Sequence, residues 1–171
     1  MGFGVIACKG QQVELLEHGV LKLNKLENQA LKLQEIFKGT LRLIESFHPD
    51  EMALEAPFYG ENIQSMLKLG RAQGVAMAAA LSRDIPVEEY APRKIKMAIT
   101  GKGTASKEQV KKMLEQIFKM EETQKYLDAT DALAVAYCHF LQKFPATSKG
   151  QKNSKQGWAK FLTENPNRKI S

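Results

Sequence analysis

No stretch of the chain runs to about 18 apolar residues, so no membrane-spanning helix is expected. The N-terminus lacks a basic stretch followed by an apolar one, so no secretory leader is expected either. Cysteine is scarce. Only Cys8 and Cys138 occur, far apart and in apolar surroundings, with no CxxC pair. That excludes a disulfide framework and reads as two free core thiols in a reducing compartment, which implies the cytoplasm. No internal repeat is present, which excludes a solenoid. What remains is a chain of 171 residues, 43% hydrophobic and 26% charged. Such a chain makes one soluble domain that can bury roughly 70% of its unfolded surface.

The net charge is +6, and its distribution says more than its sum. Residues 92–112 carry seven Lys/Arg against one acid, Glu108, and residues 143–171 carry seven against one, Glu164. Two basic segments on a mildly acidic body suggest a polyanion as partner.

Along the chain, residues 2–9 and 12–21 read as a hairpin turning at Gly10. Leu26, Ala30, Leu33, Phe37, Leu41, Ile44 and Phe47 recur at steps of three and four, one face of a helix that stops at His48-Pro49. Met52 to Glu55 is a short strand. Residues 61–82 make a helix whose buried side is expected to be Gly70, Ala72, Gly74, Ala76, Ala78, Ala79 and Ala80. A strand begins at Ile85-Pro86-Val87, with Pro86 suited to its first position. A basic segment holding Lys94, Lys96 and Lys102 leads through Gly101-Lys102-Gly103-Thr104-Ala105 to Ser106, a predicted N-cap with Gln109 at capping-box spacing. The last helix starts near Asp128 and runs through Leu133, Ala136, Tyr137 and Phe140. After Phe144-Pro145 the composition turns to Ser, Lys, Gly, Gln and Asn, so residues 146–171 read as a basic tail on a domain of residues 1–145. Trp158 and Phe161 could dock one short turn of it. Strands first, then strands and helices in alternation, imply an α/β fold with a mixed sheet flanked by helices.

Three carboxylates stand out. Glu55 ends an apolar strand, where an unpaired acid is costly. Asp128 and Asp131 lie three apart at a helix start, so they share a face, and the helix dipole tolerates anions there. Clustered oxygen donors suit Mg²⁺ or Mn²⁺. Taken singly, Asp128 and Asp131 are better explained as an N-cap and its companion, and Glu55 as a solvent-facing strand end. They become a metal site only if the fold gathers them.

Five blocks then carry a resemblance. Ala53-Leu54-Glu55-Ala56-Pro57-Phe58 comes first, then Ser65 to Ala76. Pro92-Arg93-Lys94-Ile95-Lys96, Gly101 to Val110 and Asp128-Ala129-Thr130-Asp131-Ala132-Leu133-Ala134 follow in order. Together they resemble the RuvC-type Holliday-junction resolvases, in their Bacteroidetes branch, over nearly the whole chain to about residue 142. The resemblance implies an RNase H-like fold, a homodimer and metal-dependent cleavage of four-way junctions by paired symmetric nicks. It implies the cytoplasm, recombination and repair, and work beside the branch-migration complex RuvA–RuvB. It makes Glu55, Asp128 and Asp131 the metal-binding catalytic carboxylates, with two Mg²⁺ per site and Mn²⁺ as a substitute. It assigns DNA contacts to Phe58, which would stack on an unpaired base, and to Lys96, Lys102 and Lys107.

One departure stands at the start. The family opens with a central strand and Gly-Ile-Asp-Pro-Gly, whereas this chain opens at Gly2-Phe3-Gly4-Val5-Ile6, in what corresponds to the second strand. Met1 would then be an internal methionine of a longer protein. A strand of about five residues contributes on the order of 10 kcal/mol through ladder bonds and buried side chains. Without it and its aspartate, the chain is expected to fold poorly and to cleave slowly. Two alternatives come from other classes: a non-catalytic protein that binds four-way junctions, and an RNase H-like nuclease acting on structured RNA.

Overall fold

The structure is a computed structural model that describes residues 1–57, 62–120 and 127–145. Four strands and five helices follow in order: β1 (Gly2–Lys9), β2 (Gln12–Val20), α1 (Gln29–Phe47), β3 (Met52–Glu55), α2 (Ile63–Leu81), β4 (Val87–Tyr90), α3 (Pro92–Thr100), α4 (Lys107–Phe118) and α5 (Leu127–Lys143). The α/β architecture is the one expected from the sequence. The sheet is in two parts, however: an antiparallel pair β1–β2 and a parallel pair β3–β4, with no ladder between them among the described residues. The element that joins them is α5, which packs against all four strands.

Parallel strands need a crossover, and α2 supplies it between β3 and β4. Alternation along β3 then assigns its faces. Met52 packs with Ile44, Ala80 and Ile85 on the side of α1 and α2. Ala53 packs with Tyr90, Ile95, Ala134 and Cys138 on the side of α5. Glu55 shares the face of Ala53, so the strand period aims its carboxylate toward α5. This core continues through Ile99, Val110 and Leu114 of α3 and α4.

The close seat of β1 on α5 depends on glycine. A Cβ on Gly4 would come 3.0 Å from Leu133 Cα, and one on Gly2 would collide with the Asp128 carbonyl. Only a side chain reduced to hydrogen lets the strand lie directly on the helix backbone.

The structure corrects four expectations. The buried stripe of α1 is Ile36, Gly39, Thr40 and Ile44, while Ala30 and Phe37 lie exposed, and the helix starts only after Asn28, whose side chain accepts from the Leu31 N–H at 2.9 Å. The periodicity had the right step but the wrong phase, because leucines and phenylalanines occur on both flanks. On α2 the small residues divide. Ala76, Ala79 and Ala80 are buried, whereas Gly70, Gly74 and Ala78 face solvent. The basic segment 92–100 is a helix, α3, with Pro92 in its first turn and Ile95 and Ile99 buried. Its five-residue tally of Lys, Arg, Thr and Pro masked an (i, i+4) apolar pair. Finally, Cys138 is buried but Cys8 is exposed near the hairpin turn, so only one of the two thiols belongs to the core. The capping box of Ser106 and Gln109 is present as expected.

A polar tie crosses from α5 to the start of β3. Lys143 donates to Glu51 at 2.8 and 2.9 Å, and this hydrogen bond is the main reason the Glu51 carboxyl is held below its ordinary 4.5. A depressed carboxylate stabilises the fold above its unfolded value and loses that contribution as pH falls through the folded one. The pair is partly exposed, so the effect is at most about 1 kcal/mol. Thermal melts of Glu51→Gln should therefore lose less stability than the native chain between neutral pH and the range below 4.5. Parallel acid limbs would contradict this.

Candidate functional site

A hollow opens where β3, α3, α4 and α5 meet. It is lined by Glu55, Pro92, Ile95, Lys96, Lys107, Val110, Asp131 and Ala134. Each polar member arrives for a structural reason. Glu55 is the last residue of β3 and projects toward α5. Asp131 lies one turn into α5, on the flank shared with Ala134. Lys107 is the first residue of α4, fixed by the Ser106 cap. Lys96 lies on α3 one residue from the buried Ile95. Glu55 is held from behind as well, because Gln73 of α2 donates to its carbonyl and the Ala56 N–H donates to the Tyr90 carbonyl at 2.9 Å.

The hollow is open to solvent: Glu55 is exposed, and the Asp131 and Lys107 side chains are 41% and 63% exposed. Desolvation raises the Glu55 carboxyl above its ordinary value, and Asp131 raises it further, while Lys107 and Lys96 pull it back. Lys107 Nζ stands 2.6 Å from Asp131 Oδ2. That hydrogen bond, the Asp131 charge and, more weakly, Glu55 and Asp128 push the Lys107 ammonium above its ordinary range. The pocket thus holds a cation among carboxylates.

Of the residues singled out from the sequence, Glu55, Asp131, Lys96 and Lys107 come together here. Asp128 occupies the first turn of α5, exposed, and is not among the lining residues. It is inside the helix and not its N-cap, so the capping explanation does not apply to it. Lys102 sits in the loop after α3, where its N–H donates to Thr100 Oγ1 at 3.2 Å, and its side chain is exposed away from the lining. Phe58 lies outside the described residues, as do Trp158, Phe161 and the whole of 146–171. The apolar floor of Pro92, Ile95, Val110 and Ala134 was not singled out beforehand as part of a site, although Ile95 and Val110 stood within the basic blocks.

The donor set can be tested against a metal. Among the described residues no three His, Cys, Asp or Glu side chains stand close enough to hold an ion by themselves. Mg²⁺ does not need three, since it commonly takes one or two carboxylates and completes its shell with water and phosphate. Two hard carboxylates whose mutual repulsion raises one of them fit such a cation.

Comparison with known proteins decides the family. A profile of "Crossover junction endodeoxyribonuclease RuvC" matches residues 1–139. The chain belongs to the RuvC family. Its relatives include the RuvC proteins of Cytophaga hutchinsonii, 56% identical over 168 residues, which are 98% of this chain and 82% of that protein. The Bacteroides fragilis RuvC is 56% identical over 171 residues, covering 98% and 89%. Among solved structures, Thermus thermophilus RuvC in complex with Holliday junction substrate aligns with a TM-score of 0.77 at 31% identity, covering 84% of this chain and 87% of that one. The fold of the RuvC family is thus the fold of this chain, and Glu55, Asp131, Lys96 and Lys107 line one hollow within it.

Proposed function

We propose that the chain is a structure-specific DNA endonuclease that resolves Holliday junctions by paired symmetric nicks, in recombination and repair, in the compartment of its DNA substrate, the cytoplasm. Family membership supports the reaction class, that of metal-dependent nucleases. The observation that carries the reading at the level of residues is the meeting of Glu55 and Asp131 with Lys96 and Lys107 in one hollow. In this reading Glu55 and Asp131 hold Mg²⁺, with Mn²⁺ as a substitute, and Asp128 joins from the same helix when DNA is bound. A metal bound there would polarise the scissile phosphate and make water a better nucleophile. The chain's own groups do the rest. Lys107 and Lys96 face the phosphate and offset its charge. Ile95, Val110 and Ala134 keep one side of the site dry, which strengthens every electrostatic contact within it. Lys102 and Phe58 extend the DNA contact beyond the hollow, with residues 1–145 as the nuclease domain and the basic 146–171 as a tail. The test is cleavage, under Mg²⁺, of a four-way DNA junction beside a linear duplex and a structured RNA of matched length. Symmetric nicks confined to the junction are expected. Equal cutting of all three would overturn the reading.

A homodimer completes the proposal, acting beside the RuvA–RuvB branch-migration complex. One face of α2 supports the dimer. Ile63 and Leu67 are 70% and 57% exposed on the same face as Gly70 and Gly74, beside which no atom of the described residues would lie within 4 Å of an added Cβ. Small residues beside apolar ones allow two helices to approach closely. Mid-helix glycine costs about 0.5–1 kcal/mol relative to alanine, so Gly70→Leu and Gly74→Leu should leave the isolated fold as stable or more so. The same changes should convert dimer to monomer in light scattering. Dimers that persist with leucine at both positions would place the interface elsewhere.

A further inference from the structure

The Glu55–Asp131 pair spans two elements, β3 and α5, so its geometry is only as well defined as the seat of α5 on the strands. On the side of β3 and β4 the apolar part of that seat carries no direction of its own. In the core shared with β3 and β4 the helix contributes Ala134, Val135 and Cys138, with Tyr137 packed against them, side chains that bury area without a directional contact to the strands. Hydrophobic burial is also non-directional. A directional contact lies farther along the helix. His139 Nδ1 is 2.8 Å from the Tyr90 hydroxyl, and its Nε2 is 2.8 Å from Glu51 Oε2. The ring of Tyr90 meets the imidazole edge-on at 5.7 Å, and Lys143 holds the other side of Glu51. One imidazole therefore bridges the end of β4 to the residue before β3. A neutral ring satisfies both contacts at once, with the Tyr90 hydroxyl donating to Nδ1 and the Nε2–H donating to Glu51.

Tyr90 connects this bridge to the site. It is the register partner of Glu55, and its carbonyl accepts the Ala56 N–H. His139 lies eight residues beyond Asp131, about 12 Å along the helix axis. Glu51 thus immediately precedes the strand that carries Glu55, Tyr90 ends the strand paired with it, and His139 is on the helix that carries Asp131. We propose that Tyr90, His139 and Glu51 form a strut that sets the position of Asp131 against Glu55, which makes Tyr90 and His139 positioning residues for cleavage. The proposal rests on the reading of Glu55 and Asp131 as the metal-holding pair.

The test uses the full chain with Tyr90→Phe, His139→Ala, His139→Gln and His139→Asn. Tyr90→Phe removes one hydroxyl and keeps the ring. Gln can keep the donor toward Glu51, and Asn can keep the acceptor toward Tyr90, so the two should restore more function than Ala does. Each variant is titrated with Mn²⁺ by electron paramagnetic resonance in the absence of DNA, and its single-turnover cleavage rate is separated from its junction affinity. Misplacement by about 1 Å costs on the order of 10²-fold in rate, and outer-shell partners of a metal site cost about 10-fold or more in metal affinity. Tyr90→Phe and His139→Ala should therefore bind Mn²⁺ about 10-fold more weakly and cleave about 10- to 100-fold more slowly, with junction affinity unchanged. Wild-type Mn²⁺ affinity and cleavage in folded Tyr90→Phe and His139→Ala would overturn the strut, as would losses in His139→Ala that neither Gln nor Asn recovers. A failure of the site reading looks different: Glu55→Gln then binds Mn²⁺ like the wild type, and the strut falls with the pair it was to position.

Discussion

Glu55→Gln should lower the rate of junction cleavage by about three orders of magnitude while making the metal-free protein more stable. The first effect follows from the reaction class. A metal's stabilisation of transition-state charge is worth several kcal/mol, and each 1.36 kcal/mol is tenfold in rate. A neutral amide is a poor ligand for a hard cation. The second effect follows from the pocket. Desolvation and the nearby Asp131 raise the Glu55 carboxyl, so its ionised form is disfavoured in the folded chain. A raised carboxylate opposes folding above its unfolded value, and the opposition disappears where the group is neutral. Glutamine removes the charge and keeps the shape. Asp131→Asn should match the loss of activity without the same gain, because Asp131 also balances Lys107 at 2.6 Å. Removing one partner leaves the ammonium without its hydrogen-bonded counter-charge. Melting curves without divalent ions, beside single-turnover rates, check both halves. A Glu55→Gln protein that melts lower than the native chain would refute the electrostatic account of the pocket.

The second large effect concerns the seat of β1 on α5. Leu133 is fully buried, and its backbone is the surface against which Gly4 rests. Leu133→Ala should cost about 3 kcal/mol, within the 2–5 kcal/mol range for such truncations. Gly4→Val should cost about 2 kcal/mol or more by overpacking, because the added Cβ meets Leu133 Cα and N at 3.0 and 3.1 Å, which are backbone atoms that cannot rotate away. For a domain of this size each kcal/mol lowers the melting temperature by about 2–4 °C, so drops of roughly 6–12 °C and 4–8 °C are expected. Gly10→Ala is the comparison: among the described residues nothing lies within 4 Å of the added Cβ. At its φ of +61° alanine costs about 1–2 kcal/mol of backbone strain alone, so Gly10→Ala should lose less than Gly4→Val, which forces atoms together. A Gly4→Val protein that melts like the native chain would show that β1 is not held by close approach to α5.

Much of this arrangement is legible in the sequence, and what is not has identifiable causes. The hairpin, β3, α2, α4 and α5 announce themselves through alternation, caps and period, and Ser106 with Gln109 marks the start of α4 to the residue. The α3 helix does not, since its buried contribution is the single pair Ile95 and Ile99 within a run of lysines. The phase of α1 is lost because apolar residues exceed what the core can take, so Phe37 and Leu31 remain at the surface. At the site, spacing reveals that Asp128 and Asp131 share a helix and that Glu55 ends a strand. Only the fold reveals that Asp131 and Lys107, twenty-four residues apart, form an ion pair. The Tyr90–His139–Glu51 bridge is invisible beforehand for the same reason. Its members are 49 and 88 residues apart, and none belongs to a motif.

The measurement that bears most directly on the central claim is single-turnover nicking of a four-way junction by the native chain and by Glu55→Gln and Asp131→Asn, with Mg²⁺ and with chelator. The account predicts paired, symmetric nicks that require the metal and that either substitution reduces by about a thousandfold, with junction binding retained. Nicking that persists in chelator, or that survives both substitutions at the native rate, would contradict it.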